Sequence, residues 1–354
     1  MRLDSCTRSF CRSLVAACLC AVGFGLGVQS ARAVTIDWVT VGDPGNPNDT
    51  INTGTTPNYG AVADAFQIMN YEFTNQQYTD FLNSVAATGT YSLYSTSMGS
   101  NARGGIARSG TSGAYTYATR TDMGDKPVNF VSWFDAARVS NWLMNGATGT
   151  SSTETGAYTL VGGQTIGTAP ARNPGATFYI PTEDQWYTAA YYKAGSTNAG
   201  YWQYATQVTG TGAAAPATVT AGTTGIGSAG GTGNFANYLS RADWNAQDGN
   251  VTTVGTNGGA SAYDLYDMGG DIRELNDLTG AVGLSRGLRG GFYGDSLFSM
   301  SSSYRTTDAP GNESGQTGFR LASPVAVPEP STCASLLAGV ACGGYLVRWR
   351  RRRA

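Results

Sequence analysis

Apolar residues recur at helical spacing in three places, each directly after a hydroxyl residue. Thr74 stands three residues before Gln77, Ser132 before Asp135 and Thr182 before Gln185. Each pair has the form of a capping box: the hydroxyl accepts from an early helix N–H, and the later side chain reaches back to the cap N–H. Tyr78, Phe81, Leu82 and Val85 then repeat on one face. So do Ala136, Val139 and Leu143, with Trp142 beside them, and Trp186, Ala189 and Ala190. These aromatics read as core, and Gly146 marks the end of the second helix. Strand signals are shorter and scattered, at 66–71, 178–180, 291–293 and 318–321. Between these segments Gly, Ser and Thr crowd 87–121, 146–168 and 205–233, which read as long loops of one irregular domain. Few strands, a few capped helices and much loop predict an α+β domain.

The pattern changes at both ends. Residues 1–33 combine Arg2, Arg8 and Arg12 with an apolar run over 13–28 and the A-x-A site Ala31-Arg32-Ala33, the form of a secretory signal removed on export. At the other end, Val327-Pro328-Glu329-Pro330 precedes sixteen apolar or small residues at 332–347, then Arg348-Trp349-Arg350-Arg351-Arg352-Arg353. That run is short for a span, which needs ~20 residues. Its basic flank predicts a cytoplasmic C-terminus. The expected organisation is a signal at 1–33, a domain at 34–323 and a tail at 324–354.

Charge and cysteine sharpen this. The chain has 22 basic and 24 acidic residues, but outside the two ends the count is 13 basic against 22 acidic, a net of −9. An acidic body argues against nucleic acid as a partner and is compatible with calcium. All six cysteines lie in the ends, as Cys6, Cys11, Cys18, Cys20, Cys333 and Cys342, and there is no histidine. The long middle therefore lacks thiolate and imidazole chemistry.

An ordered series of segments runs through that middle. It includes Tyr71-Glu72-Phe73-Thr74-Asn75, Pro127-Val128-Asn129, Ile180-Pro181-Thr182-Glu183, Tyr266-Asp267-Met268-Gly269-Gly270-Asp271-Ile272-Arg273-Glu274, Arg289-Gly290-Gly291-Phe292-Tyr293 and Gly318-Phe319-Arg320-Leu321. From about Val39 to Ser323 this resembles the formylglycine-generating enzyme, or sulfatase-modifying factor, domain family. The resemblance implies a variant C-type-lectin-like fold. It also implies oxidation of a sulfatase cysteine at copper held by two cysteines soon after the Arg-Gly-Gly strand. Asp295 stands where the first would fall and Met300 where the second would. A carboxylate and a thioether do not replace the thiolate pair that Cu(I) prefers, so no copper is expected. Phe292 in place of a serine and Arg273 in place of a tryptophan are further departures. Related iron-dependent sulfoxide synthases need histidines, which this chain lacks. The tail resembles the PEP-CTERM sorting signal of Gram-negative bacteria. That implies an exosortase partner, transient membrane anchoring, and release or retention at the cell surface.

The resemblance leaves calcium as a structural ion. One matching set is Asp267, Gly270, Ile272 and Glu274, with Asp267 and Glu274 giving side-chain oxygens and Gly270 and Ile272 carbonyls. A weaker set is Asn237, Tyr238, Asp248 and Asn250. The plainer reading has Asp267, Asp271 and Glu274 capping a turn and facing water. Arg289, Arg305 and Arg320 are expected to pair with buried carboxylates. Three functions stand open: a non-catalytic surface module that binds a glycan, a peptide or an envelope protein; a matrix protein packed against exopolysaccharide; and an enzyme with another reaction, using Asp295, Tyr293, Tyr304 and Arg305.

Overall fold

The computed structural model describes residues 34–50, 58–195, 199–206 and 214–325. The signal at 1–33 and the tail from 326 onward lie outside the described residues. Among the described residues no helix is long and apolar enough to cross a membrane.

The three capped helices form where the hydroxyl pairs place them. Helix α1 is Asn75–Val85, a single turn α2 is Ser97–Ser100, α3 is Trp133–Met144 and α4 is Glu183–Tyr191. Thr74, Ser132 and Thr182 each accept from the third helical N–H, and Gln77, Asp135 and Gln185 each return the contact. Such a cap is worth about 1 kcal/mol. Helix α3 is buried from Trp133 to Leu143, so it is the central element rather than a surface helix. Gly146 follows it at φ 94°, as the C-terminal stop requires.

The strands are short. In chain order they are β1 (Trp38–Val41), β2 (Phe66–Met69), β3 (Ile106–Ser109), β4 (Thr116–Thr119), β5 (Tyr192–Lys193), β6 (Gly200–Tyr201) and β7 (Ala215–Pro216). Then come β8 (Phe235–Ala236), β9 (Arg273–Asn276), β10 (Arg286–Arg289), β11 (Thr306–Asp308), β12 (Thr317–Gly318) and β13 (Ala322–Pro324). One sheet has the order β1-β2-β13, antiparallel throughout, with Val41 opposite Phe66 and Ala322 opposite Ile68. A second has the order β11-β10-β9-β12, antiparallel except for the β9–β12 pair. Strands β3 and β4 form a separate hairpin.

The core joins these parts through aromatics. Phe81 meets Trp142 at 5.3 Å between ring centroids, Trp133 meets Tyr158 at 5.0 Å, and Phe73 stacks on Phe319 at 5.0 Å. These edge and stacked pairs add about 0.5–1.5 kcal/mol each beyond area burial.

The strand expectations need correction. The signal at 66–71 ends at Met69. At 178–180 there is only a bridge from Tyr179 to Ala322. The strand near 291–293 lies earlier, at β10, because Gly290 and Gly291 both take left-handed φ, 89° and 76°, and turn the chain there. Of positions 318–321 only Gly318 is in a strand, at the end of β12, and β13 begins beyond them at Ala322. The stretch 87–121 holds a hairpin and a helical turn rather than loop alone.

Candidate functional site

Strand β9 and the turn after β10 build the site. Glu274 lies opposite Arg289 across the β9–β10 pair, and the two left-handed glycines then return the chain toward β9. A Cβ on Gly291 would lie 3.1 Å from Met300 Cγ and 3.3 Å from the Ser299 backbone, so only glycine allows this close a return.

The return sets three of the departures noted in the sequence against one another. Arg273 donates from Nη2 and Nε to the two oxygens of Asp295, at 2.8 and 3.0 Å. The Phe292 amide donates to Asp295 Oδ2 at 3.2 Å. The Arg273 guanidinium also lies over the Phe292 ring, 4.7 Å from its centroid. Both charged side chains are mostly buried, at 20% and 13% exposure. A two-pronged, stacked pair of this kind is a rigid clamp rather than a loose surface ion pair.

Met300 does not belong to that clamp. It is buried with Ala214, Ala236 and Tyr238, whereas Phe292 packs with Met123, Val251, Ile272 and Tyr293. Its carbonyl accepts from the Tyr191 hydroxyl. The other residues considered for a new reaction are committed separately. Tyr293 is buried, its phenol pushed up by desolvation, with Arg103 over its ring at 5.2 Å. Arg305 grips Glu183 with two hydrogen bonds, and Tyr304 packs edge-on against Phe298.

The three arginines expected to be structural are so placed. Arg289 and Arg305 share Glu183, and Arg320 holds both oxygens of Glu274 at 2.6 Å. The Trp186 indole N–H donates to the same carboxylate at 2.8 Å. Glu183 and Glu72 are buried acids with no recognisable signal in the sequence beyond their place in the quoted segments.

Asp267, Asp271 and Glu274 are all buried, so they do not face water. Asp267 accepts from the Gly255 amide and from Asn257 Nδ2. Asp271 Oδ1 accepts from Asn237 Nδ2 at 2.8 Å and the Thr252 amide at 2.9 Å, while its Oδ2 has no hydrogen-bond partner among the described residues. Both oxygens of Glu72 are also buried and without a hydrogen bond among the described residues; Arg320 is 3.9 Å away. Burial, with the neighbouring Asp267 charge, pushes Asp271 up to about 8 and Glu72 well above the usual carboxylate range.

The first calcium set is thus gathered in one buried region. Within it the Glu274 oxygens are taken by Arg320 and Trp186, and the Gly270 carbonyl accepts from the Ile272 amide. In the second set Asn237 donates to the Asn250 carbonyl, and Asn237 Oδ1 is buried without a hydrogen-bond partner among the described residues. Tyr238 turns its hydroxyl to the Ala214 carbonyl, and Asp248 is exposed, with its carbonyl held by Arg103. Among the described residues no three acidic, histidine or cysteine side chains group as a metal centre. A cation here would need amide oxygens and carbonyls to complete its shell.

The family model of the sulfatase-modifying factor enzyme 1-like domain matches residues 31–325. Among solved structures the chain is similar to CarF, at 21% identity over 82% of this chain and 99% of that one, with a TM-score of 0.50. Treponema denticola variable protein 1 matches at 16% identity, over 83% and 97% of the two chains, with a TM-score of 0.47. PvdO from Pseudomonas aeruginosa matches at 18%, over 82% and 92%, with a TM-score of 0.41. At these identities the likeness is one of fold. No curated protein matches the chain.

Proposed function

This chain belongs to the sulfatase-modifying factor enzyme 1-like domain family, and from that premise we propose that it is an exported, non-catalytic member that uses the family fold as a binding module. The observation that carries this reading is the Arg273–Asp295 clamp. The position expected to supply the first thiolate holds a carboxylate, and an arginine and a backbone amide already occupy that carboxylate. The second position, Met300, is a buried thioether in a different apolar cluster. The donor set does not fit copper, which prefers a pair of thiolates in its Cu(I) state.

The test pairs a negative with a positive. Purified full-length protein, incubated with copper and a peptide carrying the sulfatase motif, is expected to leave the peptide cysteine unchanged by mass spectrometry. Formylglycine in the product would overturn the reading. The same protein is expected to retain a ligand in a screen of glycans, peptides and envelope proteins. A uniformly empty screen would leave the matrix-protein reading in its place.

Export rests on the 1–33 signal. Sorting by an exosortase and transient membrane anchoring rest on the order of Pro-Glu-Pro, apolar run and arginine cluster in the 324–354 tail. Calcium is part of the same proposal. The buried oxygens left over, on Glu72, Asp271 and Asn237, are hard donors of the kind calcium takes. Asp267 and the Gly270 and Ile272 carbonyls stand on the same segment. Metal analysis of the purified protein is expected to find calcium. Its addition to chelator-treated protein should raise the melting temperature, by ~2.7 kcal/mol of stability at a hundredfold excess over Kd. No bound calcium and no thermal shift would remove the ion from the account.

A further inference from the structure

We infer that the groove between α2 and β3 binds the acidic group of a glycan; the inference rests on the binding-module reading and names its ligand class. From Phe81 to Thr121 the chain carries three arginines and no acidic residue, within a body whose net charge is −9. None of Arg103, Arg108 and Arg120 forms an ion pair among the described residues. Arg103 and Arg120 spend their N–H groups on backbone carbonyls. Arg108 does not.

Arg108 is held between two tyrosines. Its guanidinium carbon lies 4.7 Å from the Tyr94 ring centroid and 4.3 Å from that of Tyr115. The cation lies over both rings, and its N–H groups remain for hydrogen bonding. The Tyr117 hydroxyl lies beside the cation. Those N–H groups suit the two oxygens of a carboxylate or a sulfate. Glu313, an acid that reaches this part of the molecule, lies beside the Ser95 hydroxyl.

The groove beside this stack has a volume of about 320 Å³ and is lined by Tyr94, Thr96, Gly99, Ser100, Ala107 and Arg108. That is at the small end for a ligand pocket and suits a short oligosaccharide. Gly99 keeps it open, since a Cβ there would lie 2.5 Å from the Tyr94 hydroxyl, which donates to the Ile106 carbonyl. Exposed hydroxyls of Thr96 and Ser100 supply the rim. An extended peptide would need a free strand edge, and β3 is paired with β4 and packed by α2. The chemistry therefore favours a sugar carrying a carboxylate or a sulfate.

The test is calorimetric titration of the full chain with an oligogalacturonate and with a heparin oligosaccharide, whose two outcomes separate carboxylate from sulfate. A neutral galactose oligomer and an oligoglutamate serve as controls. Binding is expected for at least one acidic glycan and should weaken with added salt. Arg108→Gln should weaken it at least tenfold. Thr96→Glu, a change at an exposed rim position, should do the same with an unchanged melting temperature. Equal binding by both variants would place the site elsewhere and leave the binding-module reading intact. Equal binding of oligoglutamate would replace the glycan with an acidic peptide. No binding of either acidic glycan would overturn the inference; the module itself would fall only with an empty general screen.

Discussion

Arg320→Ala is expected to destabilise the domain by about 3–5 kcal/mol, a large part of the ~5–15 kcal/mol that folded domains have in total. Arg320 is fully buried and makes two hydrogen bonds to Glu274. It also donates to the carbonyls of Met69, Asn70 and Tyr266, so one guanidinium ties the end of β2, the segment before β9 and β9 itself. Without it Glu274 keeps the Trp186 indole, and Glu72 and Asp267 lose a positive charge that favours their ionised forms. Arg320→Lys should recover only part of the loss, because an ammonium cannot bridge both carboxylate oxygens and three carbonyls. Urea unfolding measures both variants. A change within about 1 kcal/mol for Arg320→Ala would show that the buried acids do not depend on this cation.

Stability should fall as pH rises from 5 to 9 in the presence of a chelator. Burial holds Asp271 up to about 8 and Asp135 up to about 7, whereas an unfolded aspartate titrates near ~3.9. Between these values the folded chain binds more protons than the unfolded one. The contribution is fully present below the unfolded value and is lost as pH climbs through 7 and then 8. Each group is worth on the order of a few kcal/mol at most. The chain has no histidine, so no imidazole titration overlies this window. Asp271→Asn keeps an acceptor for Thr252 and removes the charge. It should flatten the profile and stabilise the protein at pH 8–9 relative to the parent chain. Melting curves across the pH series decide it. A profile that is flat or rises with pH would mean that these carboxyls are ionised when buried.

The helices were legible because their signals are local. Thr74 with Gln77, Ser132 with Asp135, and Thr182 with Gln185 need nothing beyond the next turn of chain, and each begins a helix where the spacing predicts. The strands were less legible because their partners are remote and their composition is misleading. Strand β10 reads Arg-Gly-Leu-Arg, yet it is entirely buried, since Arg286 finds Asp277 and Arg289 finds Glu183. Nothing in a four-residue charged run announces that its charges will be matched in the interior. The hairpin β3–β4 was hidden in the same way by the Gly and Ser around it.

The candidate site divides along the same line. That positions 295 and 300 carry no thiol could be read directly. The interlocking of Arg273, Phe292 and Asp295 could not, because Arg273 is brought to the other two by β-sheet pairing and a two-glycine turn. Glu72 was missed as a buried acid because it sits among apolar neighbours in sequence, and the cation nearest it, Arg320, comes from the far end of the domain.

The pairing of β13 with β2 also sets a timetable for folding. Ala322, Ser323 and Pro324 close the edge of a sheet whose other two strands are complete by Met69. During synthesis β2 therefore stands with one side open until nearly the whole domain has left the ribosome. Contacts of such sequence separation form late and slowly. The first sheet is completed only by nearly the last residues of the domain.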